Sequence, residues 1–228
     1  MRRGVIFPLL MGVVGFAILI ALGIWQIQRL HLKEARLAEI DARIGADPVP
    51  LPASFDPATD RYLPVIVTGA LGGEELHVLT SIKEVGPGYR VISVLTTGDR
   101  RIMVDLGFVP EDEKNASRVA PQITVTGNLH WPNEVDGWTP DPDIAADIWF
   151  ARDVPAMAAE LNAEPVLVVA ATLSGADIAV TPLPIDSAGI PNDHLNYAIT
   201  WFSLALIWAV MSGVLIVRVA RAARKDVV

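Results

Sequence analysis

Two long stretches without a charged side chain bracket this sequence. Residues 4–28 and 195–217 contain no Asp, Glu, Lys or Arg. Each exceeds the roughly 20 apolar residues that carry a helix across a hydrocarbon core of about 30 Å. Residues 29–194 lie between them, enough chain for one compact domain and too little for two of typical size. The first reading is therefore a membrane protein, anchored by an N-terminal and a C-terminal transmembrane helix.

Charge supplies the expected orientation. Six basic residues, Arg2, Arg3, Arg218, Arg221, Arg224 and Lys225, flank the apolar runs against Asp226 alone, so the two tails sum to +5. The middle holds 12 basic and 25 acidic residues, a sum of −13 within a net charge of −8. Lys and Arg beside membrane spans stay cytoplasmic, which places both termini inside and the acidic middle outside. The first run is too long for the apolar core of a signal peptide, and no Ala-x-Ala-like site closes it, so it reads as a retained anchor. An Arg- and Ser-rich transit sequence is missing from this start, which favours a bacterial inner membrane, with the middle domain periplasmic. The acidic balance argues against nucleic acid as a partner. The absence of cysteine excludes a disulfide framework, a thiolate metal site and a Cys nucleophile.

Between the runs, Leu30, Leu37, Ile40 and Ile44 recur at helical spacing, and Glu39 and Arg43 form an i,i+4 pair. This predicts a helical stalk that stops at Gly45 and the Pro-rich stretch 48–52. Short β-branched runs follow at 62–70, 75–81, 89–96, 100–108 and 122–130, separated by Gly72-Gly73, Gly86-Pro87-Gly88 and Gly98-Asp99. A short helix over 154–161 is predicted behind Asp153 as N-cap with Pro155 in its first turn, then strands at 165–171 and 177–182. The expected organisation is a first transmembrane helix over 4–28, a stalk over 29–44, a mostly antiparallel β domain over 45–190 with one or two helices, a second transmembrane helix over 195–217 and a basic tail over 218–228. Strands without βαβ alternation point to a barrel or sandwich.

Familiar catalytic patterns are missing. There is no phosphate-binding Gly-rich loop, no dinucleotide fingerprint and no His-Glu-x-x-His. No two of His31, His77, His130 and His194 are spaced as a zinc pair. Asp136, Asp141, Asp143 and Asp147 lack the order of a calcium loop and read as a solvated acidic loop.

The unusual chemistry sits at the outer ends of the two spans. The first ends in Trp25-Gln26-Ile27-Gln28-Arg29, and the second begins with Asn192-Asp193-His194-Leu195-Asn196-Tyr197-Ala198-Ile199-Thr200-Trp201. Aromatics and a snorkelling Arg suit an interface; Gln26, Asn196 and Thr200 in apolar surroundings suit a cavity or a facing helix. On a helix His194, Tyr197, Ala198 and Trp201 share one face. Ala205, Ala209 and Gly213 form a small-residue row that would suit close helix packing. His194 reads either as a metal or haem ligand or as a hydrogen-bonding interface residue.

Several blocks resemble the Surfeit locus protein 1 family of cytochrome c oxidase assembly factors, in its bacterial form. They are Gly23-x-Trp25-Gln26-x-Gln28-Arg29, Gly88-Tyr89-Arg90-Val91, Gly107-Phe108-Val109-Pro110, residues 149–158, Glu164-Pro165 and Asn192-x-His194-Leu195-x-Tyr197-x-x-Thr200-Trp201-Phe202, in family order. One departure is visible: the family usually carries Arg before the Gly-Phe-Val-Pro block, and this chain has Asp105-Leu106.

The resemblance implies an accessory protein and not an enzyme. It implies binding of haem a at the outer membrane face and help in placing it in subunit I of a haem-copper oxidase, with subunit I, haem a synthase and membrane lipid as partners. His194 is then the natural axial ligand, with Tyr197, Trp201, Trp25 and Arg29 around the macrocycle and Gln26, Asn192 and Thr200 as motif or partner contacts. His31 lies outside the motif. Two other readings stay open: a tethered docking scaffold without a cofactor, and an outer-side copper carrier, for which the soft-ligand site preferred by Cu(I) is missing, with no Cys and with Met11, Met103, Met157 and Met211 scattered.

Overall fold

A computed structural model of the chain describes residues 3–83 and 85–225. Arg2 and Asp226, and the side chains of Arg3, Arg224 and Lys225, lie outside the described residues, so the charge reading of the tails rests on sequence. The elements in order are α1 (Arg3–Ile44), β1 (Val49–Pro50), β2 (Pro64–Ile82), β3 (Gly86–Thr97), β4 (Arg100–Pro110), a 3-10 turn (Glu111–Glu113), β5 (Ala120–His130), α2 (Val154–Glu160), β6 (Glu164–Ser174) and α3 (His194–Lys225). They divide into two units, residues 1–39 with 188–228 and residues 40–187.

The first unit is a helix pair. α1 runs unbroken for 42 residues through both the apolar run and the amphipathic stretch after it; at 1.5 Å per residue that is about 63 Å, twice a hydrocarbon core. The most apolar windows of α1 and α3 reach mean hydropathies of 2.8 and 2.1, with only 6% of each buried. Core helices of a soluble domain would be covered; these are not, and the chain is a membrane protein.

The pair packs large residues of α3 against glycines of α1. Ala198 and Ala205 are buried, and His194, Trp201, Trp208 and Ser212 on the same face are half-buried, at spacings of three and four. Opposite them, Gly12, Gly23 and Gln26 are buried. The Trp208 indole Nε1 donates to the Gly12 carbonyl (3.0 Å), and a Cβ on Gly15 would sit 2.5 Å from that same ring. The seam expected from Ala205, Ala209 and Gly213 is therefore corrected. Ala205 belongs to it, but Ala209 is exposed, and a Cβ on Gly213 would meet no described atom within 4 Å. Small residues at i+4 mark a face able to pack closely; which face does so is decided by where the partner helix carries its glycines.

This yields a direct test, because the chain has no native cysteine. A Cβ on Gly12 would lie 2.9 Å from the Ser212 Cβ, within a small relaxation of disulfide geometry. Gly12→Cys with Ser212→Cys is expected to cross-link readily in membranes under mild oxidation, and Gly12→Cys with Gly213→Cys poorly. Equal yields by gel mobility would reject this packing.

The second unit is a closed barrel. β2 pairs with β3, β3 with β4, β4 with β6, β6 with β5, and β5 returns to β2. This is a five-stranded Greek-key ring of the OB type, with β1 added parallel to β2. Four of the six pairings are antiparallel, while β1–β2 and β4–β6 are parallel. The sheet is thus mixed, although antiparallel pairs dominate as expected.

Period-two alternation builds two cores. Val91 and Leu95 of β3, Ile102, Val104 and Leu106 of β4 and Val166 and Val168 of β6 fill the barrel. Ile92, Val94, Met103 and Leu167, facing the other way, pack under Val154, Met157 and Leu161 of α2. α2 begins as predicted: the Asp153 side chain accepts from Ala156 N (3.2 Å), and Pro155 sits in the first turn, where a missing N–H costs nothing.

Two strand expectations change. Gly72-Gly73 does not end a strand. β2 continues through it with a register shift between Leu71 and Glu75, and Gly73 has φ +89°. The bulge bends one strand so that its first half pairs with β5 and its second half with β3. The segment 177–182 makes a single bridge, Phe108 to Thr181, and no strand. That bridge explains the glycine of the Gly107-Phe108-Val109-Pro110 block: Gly107 has φ +120°, and a Cβ there would approach the Thr181 carbonyl to 2.2 Å.

Candidate functional site

The structure joins the two polar motifs of the helix pair through one hydrogen bond. Asp193 precedes α3 and its carbonyl accepts from Tyr197 N, so His194 is the first residue of the helix. Its Nδ1 lies 2.8 Å from Oε1 of Gln26, which is 8% exposed. An amide oxygen only accepts, so Nδ1 carries the proton, and Nε2 is the nitrogen whose lone pair the neutral ring has to offer. An imidazole held by its Nδ1–H in this way is the arrangement in which outer partners orient metal-ligating histidines. Gln26 is therefore the positioning partner of His194, a role sequence alone did not assign.

The other expected site residues are held in different ways. Trp25 is 47% exposed, with the Arg29 guanidinium carbon 5.5 Å from its ring centre, a cation–π contact. Trp201 shares the half-buried face of His194, whereas Tyr197 is 56% exposed. Thr200 needs no partner helix, since its hydroxyl donates to the Asn196 carbonyl one turn back (2.9 Å). The Asn192 Oδ1 atom is buried and finds no hydrogen-bond partner among the described residues. His31 is well exposed and lies 3.6 Å from Glu34 on its own helix.

Whether these residues suit a haem is decided by the donor set. They offer an imidazole engaged only through Nδ1 in the hydrogen bond to Gln26, indole and phenol rings, and a guanidinium able to meet a carboxylate, which are the groups a haem needs. Among the described residues no cluster of three or more His, Asp or Glu side chains is placed to hold a bare metal ion.

Two polar clusters of the barrel were not visible in the sequence. Asp105, fully buried, accepts from Arg90 Nε (2.8 Å) and Arg152 Nη1 (3.2 Å), and its other oxygen accepts from Gly107 N (3.2 Å). Arg152 also forks onto Glu134, and Arg90 reaches the Leu183 carbonyl (2.8 Å). Arg90, Asp105 and Arg152 thus tie together three of the sequence blocks, and the residue that read as a departure holds two arginines in place. Nearby His130 is pushed down to about 4 by burial and by Arg152 and Arg61, so it stays neutral. In the second cluster His77, 5% exposed, places Nδ1 2.6 Å from Asp147, while Glu75 takes Arg118 at 2.9 Å. Burial pushes the Glu75 carboxyl up despite Arg118. The partners here are 43 and 70 residues apart, and no spacing rule connects them.

The SURF1 family model matches residues 13–206, most of the chain. The chain belongs to the SURF1 family. Surfeit locus protein 1 of Homo sapiens is 28% identical over 211 residues, covering 81% of this chain and 69% of that protein. A SURF1-like protein of Rickettsia felis is 30% identical over 203 residues (84% and 88%), and one of Monosiga brevicollis 31% over 210 (83% and 80%). The family match takes in Trp25, Gln26, Arg29, Asn192, His194, Tyr197, Thr200 and Trp201, so the helix-pair site lies within what SURF1 proteins share in extent.

Proposed function

We propose that this chain is an assembly factor for a haem-copper (cytochrome c) oxidase, acting as a haem a chaperone and not as an enzyme. The observation that carries the reading is the His194–Gln26 hydrogen bond, which engages Nδ1 and leaves ligation to Nε2 at the start of a membrane helix. Bound haem a would supply the redox-active iron. The chain's own residues would supply a nitrogen ligand from His194, aromatic cover from Trp25, Tyr197 and Trp201, and a charge-assisted bond from Arg29 to a propionate. Membership of the SURF1 family supports the assembly role. Subunit I of the oxidase and haem a synthase are the proposed protein partners, the first receiving and the second supplying the macrocycle. Co-expression with haem a synthase, purification in detergent and a pyridine hemochrome spectrum test this: haem a should co-purify. A colourless protein would favour a docking scaffold with no cofactor.

The proposed location is a bacterial inner membrane, with both termini cytoplasmic and the barrel periplasmic, on the charge asymmetry of +5 tails and a −13 middle. An alkaline phosphatase fusion after Gly98 is expected to be active and one after Arg224 inactive. The reverse pattern would invert the hairpin.

A further inference from the structure

The segment joining β5 to α2 holds its most exposed large apolar side chain on a firmly anchored loop. Trp138 is 93% exposed, and Val135, Ile144 and Phe150 of the same segment are 50%, 51% and 40% exposed. The tip is fixed by Asp136, whose Oδ1 accepts from Trp138 N (2.8 Å), Thr139 N (3.0 Å) and Thr139 Oγ1 (3.1 Å). These bonds hold the Asp136 carboxyl below its ordinary range, so it remains charged.

Further back the segment is tied to the barrel at several points. Trp149 N donates to the His77 carbonyl and Leu79 N to the Trp149 carbonyl, both at 2.8 Å. Lys114 Nζ donates to the Ala146 carbonyl (2.7 Å), and His77 meets Asp147. Beside the tip a cleft of about 90 Å³ opens between Val135, Pro140, Trp149 and Phe150. A long connection without regular structure that is this well fastened is characteristic of binding loops. An indole presented without ordering cost is the residue type on which interfaces concentrate their energy.

Charge decides what can cover it. Between residues 131 and 151 lie Glu134, Asp136, Asp141, Asp143 and Asp147 and no Lys or Arg. Glu134 is tied to Arg152 and Asp147 to His77, so the acidity near the tip rests on Asp136, Asp141 and Asp143, all within five residues of the indole; it repels an anionic lipid surface and matches a cationic protein surface. We propose that the Trp138 tip is a docking knob for a Lys/Arg-lined, indole-accepting pocket on the oxidase subunit being assembled. This rests on the reading of the chain as an oxidase assembly factor, and concerns a surface separate from His194.

The test uses the full chain in detergent, immobilised, with oxidase subunit I purified from cells lacking this chain. Trp138 enters the loop's hydrogen bonds only through its backbone, so Trp138→Ala leaves the loop's own bonds in place. It is expected to weaken retention at least about thirtyfold, as a hot-spot residue does. Asp141→Lys is expected to weaken it about tenfold at low salt, a loss that shrinks in about 0.5 M salt as screening sets in. Glu160→Gln, an exposed change on α2, should bind as the parent does, with the melting temperature of all three unchanged. If the parent binds subunit I and both loop variants bind equally well, the docking surface is wrong and the assembly role stands. If the parent itself retains no subunit I, the assembly reading fails and takes the proposed occupant with it. If phosphatidylethanolamine–phosphatidylglycerol vesicles bind the parent but not Trp138→Ala, the tip is a membrane anchor and the proposal is overturned.

Discussion

His194→Ala is expected to strip most of the co-purified haem a from the protein while leaving it folded and in the membrane. The imidazole is the proposed axial ligand, whereas the helix pair is held by Ala198, Ala205, Trp208 and the glycines facing them, none of which depends on it. Gln26 makes this more than a ligand deletion. Gln26→Leu keeps the ring but removes the acceptor that fixes its Nδ1–H; loss of such an outer partner typically lowers affinity by about 10–100-fold. Gln26→Glu restores an acceptor and should recover much of the retention. His31→Ala, on an exposed ring paired with Glu34, should keep the haem. His77→Ala should keep it too, but this substitution is not silent: it unties Asp147 and lowers barrel stability. The readout is haem a per protein by pyridine hemochrome, with the Soret band as a check on ligation. An unchanged Soret band in His194→Ala would remove this residue from the site.

The second large effect belongs to Asp105. Asp105→Ala removes the carboxylate shared by Arg90 and Arg152, whose side chains are only 17% and 13% exposed. Breaking a buried ion pair from one side costs about 3–5 kcal/mol, because the remaining charge loses its partner; Arg152 keeps Glu134, so the loss falls mainly on Arg90. That is a large share of the roughly 5–15 kcal/mol that holds a domain folded. The variant is expected to accumulate poorly and to unfold at much lower temperature, as read by a melting curve in detergent and by proteolysis in membranes. Asp105→Asn keeps an acceptor for Gly107 N and should fall between. If Asp105→Ala melts like the parent, the two arginines are satisfied elsewhere.

The sequence made the two apolar helices legible because a charge-free run of that length has few other fates, and α2 legible because Asp153 and Pro155 mark its start. The strands were legible from β-branched runs, but their boundaries failed at Gly72-Gly73. Two glycines between apolar runs look alike whether the chain reverses there or merely kinks, and only the pairing of β2 with β5 separates the cases. His194 and Gln26 stood out as polar groups in apolar surroundings, yet their contact spans 168 residues and no periodicity encodes it. The role of Asp105 was not legible for a related reason. Read along the chain it is a missing arginine; in the barrel, arginines arrive from β3 and from the turn before α2.

The closing of the barrel has a consequence for how the chain is made. The first half of β2 finds its partner only when β5 exists, with Pro64 opposite Asn128, and the ring is complete only with β6, which ends at Ser174. Contacts between residues so far apart are slow to form, because loop entropy is lost before any contact energy is gained. At about 5–20 residues per second of synthesis, roughly 110 residues separate the start of β2 from the end of β6, so the early strands wait on the order of 5–20 seconds with their edges open. A ribosome stalled within that stretch would release a chain whose first helix is finished and whose barrel has not begun to close, the state in which such a protein is most exposed to proteases and to its own neighbours.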